Sequence, residues 1–238
     1  MKALVTASAR FQSTADGRLW TRGTSLAYGF WTRYLGVYEG VILLVRVSSA
    51  REVSGDAHEV TGPGISFVGL PDTGRPLVHL LQYPRIRAAV QDALDEVQAI
   101  HFRSPCTTDP LVVRMLSPGH PYGVEVVGDP YDVFAPGAVR HPLRPLFRWL
   151  FTRRQRRLCV HACAASYVTE KALQRRYPPA PHAFSTHYSS IELPPEAIVP
   201  EPRRWAQPPD PARLVLVGSL AQMYKAPDVL LQAVARCC

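Results

Sequence analysis

A chain of 238 residues with 47% hydrophobic and 19% charged residues can pack one large domain, or one domain and part of another, and is too apolar for gross disorder. Its formal net charge of +8 favours anionic partners, whether phosphates, nucleic acid or acidic lipid heads, without choosing among them. The longest purely aliphatic run, residues 41–45 (VILLV), is far short of the roughly 20 residues a membrane-spanning helix needs, so no such helix is expected. The start, MKALVTASARF, reads better as a first strand than as a signal peptide. Five cysteines without a secretion signal predict reduced thiols and a cytoplasmic protein.

Taken in chain order, residues 3–7 read as a strand, 24–38 as an aromatic-rich helix, 41–47 as a buried strand and 65–68 as a shorter strand ending at Gly69. Residues 86–97 give the clearest helix: Ile86, Ala89, Val90, Ala93, Leu94 and Val97 share one face. Strand 99–103, helix 111–116, strand 122–127, helix 143–158, strand 164–169 and helix 170–176 follow, the last stopped by Tyr177-Pro178-Pro179. Strands alternating with helices predict an α/β fold with a Rossmann-like, mainly parallel sheet over residues 1–192.

Residues 193–212 hold seven prolines in twenty positions, which favours an extended linker over a long surface loop. After it, residues 214–217 read as a buried strand ended by Gly218. A polar loop with Ser219 and Lys225 follows, then a helix opened by Pro227 and Asp228. Strand, lysine-bearing loop and helix N-terminus form a layout that holds a diphosphate in doubly wound folds. Residues 213–238 thus read as the start of a second α/β domain, cut short.

Three further segments carry candidate chemistry. The loop Asp16, Gly17 and Arg18 follows the first strand and could contact an acceptor sugar or phosphate; it contains no G-x-G-x-x-G, which disfavours a dinucleotide site. Asp129 follows a predicted strand, where ligands bind in open sheets; it is either a group that orients a sugar hydroxyl or takes a proton, or a turn-forming Asp-Pro. In the basic helix, Leu143, Leu146, Phe147, Leu150, Phe151 and Leu158 form a core-facing stripe, and Arg153, Arg154, Arg156 and Arg157 make a charged side that suits an anionic membrane surface. No nucleic-acid-binding motif accompanies that charge, so nucleic acid is not expected. Cys159-Val-His-Ala-Cys163 offers too few ligands for zinc and reads as packing, so no metal is expected.

Several of these segments together resemble the GT-B fold glycosyltransferases, in particular the retaining family 4 that uses nucleotide-diphosphate sugars. VGSLAQMYKAPDVLLQAVA is similar to the opening of that family's donor-binding domain: Gly218, Lys225 and Asp228 match, while Ser219 and Ala226 stand where the family commonly has arginine and glycine. AIHFRSP, YGVEVVGDPYDVF, ASYVTEKALQRRYP and HYSSIELP resemble the later strands of its acceptor domain. Asp129 stands near the place of a family histidine that contacts the donor sugar. The resemblance implies transfer from a nucleotide sugar to a saccharide or lipid-linked acceptor in polysaccharide or glycoconjugate synthesis, without a metal or other cofactor; the arginines of the basic helix add a reversible, peripheral contact of this cytoplasmic protein with the inner membrane face. It also implies that paired donor-gripping glutamates belong further on, so that this chain alone is inactive. The alternative is a non-catalytic acceptor domain that binds a glycan, lipid head group or partner.

Overall fold

The computed structural model describes residues 1–71, 76–191, 195–202, 204, 207, 213–216 and 226–237. The chain forms two compact units: Met1–Gly128 with Arg154–Ser190, and Asp129–Arg153 with Ile191–Cys238.

The first unit is α/β, with a mostly parallel, Rossmann-like sheet flanked by helices. Its central strand β1 (Lys2–Ser13) pairs in parallel with β3 (Gly40–Ser49) on one edge and with β6 (Ala99–Ser104) on the other. From β3 the sheet grows outward to β5 (Ile65–Pro71); from β6 it grows to β7 (Gly123–Val126), β8 (Ala164–Tyr167) and β9 (Phe184–His187). The chain therefore reverses its direction of growth between β1 and β6, the topological switch at which open sheets of this kind bind ligands.

Strand alternation separates two cores. Val5, Ala7, Val41, Leu43, Val45 and Ile65 face α1 (Tyr28–Leu35), which contributes Phe30, Trp31 and Tyr34. On the other face Leu4, Ile42, Leu44, Phe102, Val124 and Tyr167 meet Ile86 and Val90 of α2 (Pro76–Asp95) and Val112 of α3 (Asp109–Met115). Leu158 of α5 (Arg144–Val160) and Leu173 of α6 (Ala172–Arg176) complete that layer. Residues 40–45 are all buried, which explains why β3 reads as an unbroken apolar run rather than an alternating one.

Several boundaries differ from the sequence reading. β1 continues to Ser13 and pairs antiparallel with β2 (Leu19–Arg22), which pairs with β4 (Ala57–Glu59). These short strands and the exposed edge strand β9 lack an apolar period, so pattern alone did not reveal them. Gly69 lies inside β5, not at its end: a Cβ there would sit 2.6 Å from Val47 Cγ2, so the neighbouring valine occupies the space a side chain would need. α2 starts at Pro76 and runs through Pro84, a residue that removes one helical N–H and so hides the first turns from a sequence reading. The aromatic helix narrows to α1, preceded by a 3₁₀ turn at Thr24–Leu26.

In the second unit, α4 (Pro130–Val133) and the first turns of α5 enclose an aromatic cluster: Phe134 stacks on Phe151 at 5.5 Å and meets Phe147 edge-on at 5.9 Å. The strand expected at 214–217 is not present over its described part. Leu214, Val215 and Leu216 have no strand pairing and are 66%, 86% and 48% exposed; Val217 lies outside the described residues. An apolar run becomes a buried strand only where a sheet edge receives it. α7 (Pro227–Cys237) does begin at Pro227 with Asp228 in its first turn.

Trp31, fully buried against the α1 side of the sheet, should be a stability hot spot. Trp31→Ala is expected to lower the unfolding free energy by about 3–5 kcal/mol in urea titration, whereas Val37→Ala, at an exposed position, should stay within about 0.5 kcal/mol.

Candidate functional site

Two polar clusters in the first unit flank the switch between β1 and β6. The first lies at the carboxyl ends of these strands. Thr6 is the last residue of β1 in register with β6, opposite Phe102. Ser104 ends β6; a cis Ser104–Pro105 peptide, Cys106 and Thr108 then lead into Asp109, which opens α3.

Asp109 is only 5% exposed. Its Oδ1 accepts from the Thr6 hydroxyl at 2.7 Å and its Oδ2 from the Cys106 N–H at 3.0 Å. Thr6 Oγ1 in turn accepts from the Arg103 N–H at 3.2 Å. Burial raises the Asp109 carboxyl to about 7, although the Thr6 hydroxyl, the Cys106 N–H and the Ser104 hydroxyl all pull it down. Desolvation outweighs three hydrogen bonds here. The outcome is a carboxyl that gains and loses a proton near neutrality, the property general acid–base chemistry requires. Cys106 beside it is the opposite case. Burial, then the Asp109 charge, push its thiol up to about 11, so it stays a neutral thiol 3.0 Å from Thr108 Oγ1 rather than a nucleophilic thiolate.

The second cluster lies on the face that α1 covers, where the apolar core stops at β1. On the next two strands that face carries His101 and Arg103 of β6 and Glu125 of β7, with Arg103 and Glu125 in register. Glu125 Oε1 accepts from Tyr34 Oη at 2.5 Å and Oε2 from Tyr188 Oη at 3.1 Å. Arg103 Nε is 3.9 Å from Glu125 Oε2, an ion pair too long to be a hydrogen bond, and this buried nitrogen has no hydrogen-bond partner. The Arg33 and Arg103 guanidiniums lie 4.0 and 4.8 Å from the Phe30 ring centroid. Tyr38 Oη and His101 Nε2 share a hydrogen bond of 2.7 Å. Position 123 is glycine because a Cβ there would fall 2.9 Å from His101 Nδ1. Burial and the Glu125 charge push Tyr34 and Tyr188 well above the usual phenol range, and burial lowers His101. This cluster orients groups and anchors α1; its tyrosines keep their protons.

The residues picked out from sequence fall as follows. Asp16, Gly17 and Arg18 form the β1–β2 turn, with Gly17 at φ +80°. Asp16 accepts from the Thr14 hydroxyl at 2.5 Å and pairs with Arg18 Nε at 3.1 Å, and Arg18 also reaches Glu59 at 3.8 Å. The Thr14 hydroxyl, more than Arg18, holds Asp16 below the usual carboxylate range. The turn's polar groups are thus engaged mainly with one another. Asp129 caps α4, accepting from the Tyr131 N–H at 2.9 Å. Arg153, Arg154, Arg156 and Arg157 are all exposed on α5, and Arg156 Nε donates to the Arg176 carbonyl at 2.9 Å. Gly218, Ser219 and Lys225 lie outside the described residues. Cys159 is buried and Cys163 exposed.

Sequence reasoning passed over Thr6, Ser104 and Asp109, although the segment RSPCTTD offered a signal: hydroxyls and a carboxylate directly after a predicted strand. Arg103 and Glu125 were visible only as charges inside the apolar runs AIHFR and GVEV. Among the described residues no group of three His, Cys, Asp or Glu is placed to hold a metal, and no helix is long and apolar enough to cross a membrane. No protein-family model, curated protein or solved structure matches the chain.

Asp109 makes stability pH-dependent. Folded, the carboxyl titrates at about 7; its ordinary value is 3.8. Between these values the folded state holds a proton that the unfolded chain has released, so this group's contribution falls as pH rises from about 4 to 7 and is level above that. Asp109→Asn should remove this slope, a difference of up to about 4 kcal/mol between urea titrations at the two ends of the window. Glu125→Ala should cost about 2–4 kcal/mol in the same assay at neutral pH, because it strands Arg103 and two tyrosine hydroxyls, while Glu125→Gln should cost less.

Proposed function

We propose that this chain is the acceptor-side domain of a GT-B type glycosyltransferase, joined to the opening of its donor-binding domain. Such an enzyme, with its donor-binding domain whole, transfers a sugar from a nucleotide-diphosphate sugar to a saccharide or lipid-linked acceptor in polysaccharide or glycoconjugate synthesis. The observation that carries this reading is the switch of a doubly wound sheet, with a carboxyl that titrates near neutrality beside it. The order of the segments from AIHFRSP to VGSLAQMYKAPDV supports it.

In this reading the bond from the anomeric carbon to the diphosphate oxygen breaks, the oxygen keeps the electron pair, positive charge grows on the ring, and the acceptor's hydroxyl oxygen bonds to that carbon as it gives up its proton. Lys225 and the N–H groups of the first turn of α7, from Asp228 onward, stabilise the leaving diphosphate. Asp129 orients a sugar hydroxyl or takes the acceptor's proton. Asp109, being buried, does not touch substrate; it holds the strand-end loop 104–108 to β1 and fixes the floor on which the acceptor rests.

The test is release of nucleoside diphosphate from uridine, guanosine and adenosine diphosphate sugars, with and without oligosaccharide, together with NMR titration of the labelled protein. Shifts at Thr6 and residues 104–109 on adding saccharide, with negligible release by this chain alone and saccharide-dependent release when a complete donor-binding domain is supplied, are the expected result. Lys225→Ala should then lower transfer at least about tenfold, as expected when a charge-assisted phosphate contact worth roughly 1.5–3 kcal/mol is lost. Saccharide binding without release even when that domain is supplied would assign a glycan-binding domain instead. No response to any nucleotide sugar or saccharide at millimolar concentration would overturn both.

A further inference from the structure

α5 has two sides with different fates. Its inner side is packed. Phe147 packs on Phe134 and lies 5.0 Å from the His141 ring, and Phe151 stacks on Phe134. Arg148 lies 3.5 Å from the Tyr131 ring centroid and its Nε donates to the Tyr131 carbonyl at 2.8 Å. Arg144 donates to the Phe134 carbonyl at 3.3 Å. Further along, Gln155, Leu158 and Cys159 are buried.

The outer side does not follow the sequence reading. Leu143 and Leu146, expected in the core stripe, are 50% and 51% exposed, and Trp149 is 58% exposed. From Leu146 the outward positions continue at helical spacing through Trp149 and Arg153 to Arg157, with Arg154 beside them; all three arginines are exposed. Arg153 lies 5.6 Å from the Trp149 ring centroid. The outward side is therefore apolar at its start and basic toward its end. No Asp or Glu occurs anywhere in residues 133–169, so no acid offsets this charge locally in the sequence.

We infer that the outer side of α5 is a docking surface for an anionic lipid bilayer, with the helix lying in the plane of the interface. Leu143, Leu146 and Trp149 enter the boundary between head groups and acyl chains, where an indole is well accommodated, and Arg153, Arg154 and Arg157 meet the lipid phosphates. The pairing of the two kinds of residue selects the occupant. A soluble polyanion has no use for two leucines and a tryptophan, and a neutral apolar partner has no use for a row of exposed arginines. This inference does not depend on the glycosyl-transfer chemistry.

The test is co-sedimentation of the full chain with vesicles of phosphatidylcholine alone or mixed equally with phosphatidylglycerol. Binding to the anionic vesicles should be at least about tenfold tighter and should weaken with salt, since exposed charges are screened beyond about 8 Å at physiological ionic strength. Arg153→Gln/Arg154→Gln/Arg157→Gln should lose at least about tenfold; Arg156 is kept because it holds the Arg176 carbonyl. Leu146→Ser/Trp149→Ser should lose at least about fivefold at unchanged melting temperature. Trp149→Phe, a milder change, should keep sedimentation but lose the vesicle-induced blue shift of tryptophan fluorescence. Equal binding to both vesicle types would overturn the inference. So would RNA binding that needs the arginines but not Leu146 and Trp149, or a lipid-free dimer that the serine variant dissociates.

Discussion

The first unit is organised by the need to bury β1 on both faces and on both edges at once. Its backbone is paired with β3 along one edge and with β6 along the other, so it can lie only inside a sheet. Its side chains alternate between Leu4, in one core, and Val5, in the other, so helices must cover both faces. A parallel strand returns to the sheet only through a crossover, and crossovers of one hand place helices on opposite faces once growth changes direction. The reversal between β1 and β6 follows from this, and so does the gap at their carboxyl ends where Thr6, Ser104 and Asp109 gather.

The two polar clusters mark where apolar cover ends. α1 seals its face over β5, β3 and β1 with Phe30, Trp31 and Tyr34. Over β6 and β7 the same face changes to His101, Arg103 and Glu125, and the tyrosine hydroxyls of residues 34 and 188 satisfy the carboxylate there. A half-buried carboxylate is well served by two hydroxyl donors and a nearby guanidinium. At Asp109 the burial is nearly complete. Its donors are present, but none carries full charge, so burial prevails and the carboxyl retains its proton to neutral pH.

α5 shows how one helix serves two environments. Its arginines are not equivalent: Arg144 and Arg148 are used inside, bonding carbonyls and stacking on an aromatic ring, whereas Arg153, Arg154 and Arg157 are exposed. The apolar residues divide in the same way. Phe147 and Phe151 turn in because Phe134 offers a ring to pack against, and Leu143, Leu146 and Trp149 are left outside. Composition cannot make this division, since only the position of Phe134 sets which flank of the helix is the inner one.

What the sequence determined by itself was local and periodic. The unbroken apolar run at residues 41–45 required a strand buried on both faces, and the spacing from Ile86 to Val97 required a helix with one apolar side. Their alternation with further strands required a mainly parallel sheet. Pro227 and Asp228 marked a helix start for the same reason, because backbone donors and the helix dipole act within one turn. What only the tertiary structure decided was whatever needed a distant partner. Thr6 and Asp109 are 103 residues apart, and nothing local announces that they share a hydrogen bond. Tyr34 and Glu125 are 91 apart, and the pairing depends on the sheet register that places Arg103 beside Glu125. Residues 214–216 show the converse. Their apolar pattern favours a strand, yet they form no strand pairing among the described residues and remain exposed, because a strand is a pairing and cannot be specified by one segment alone.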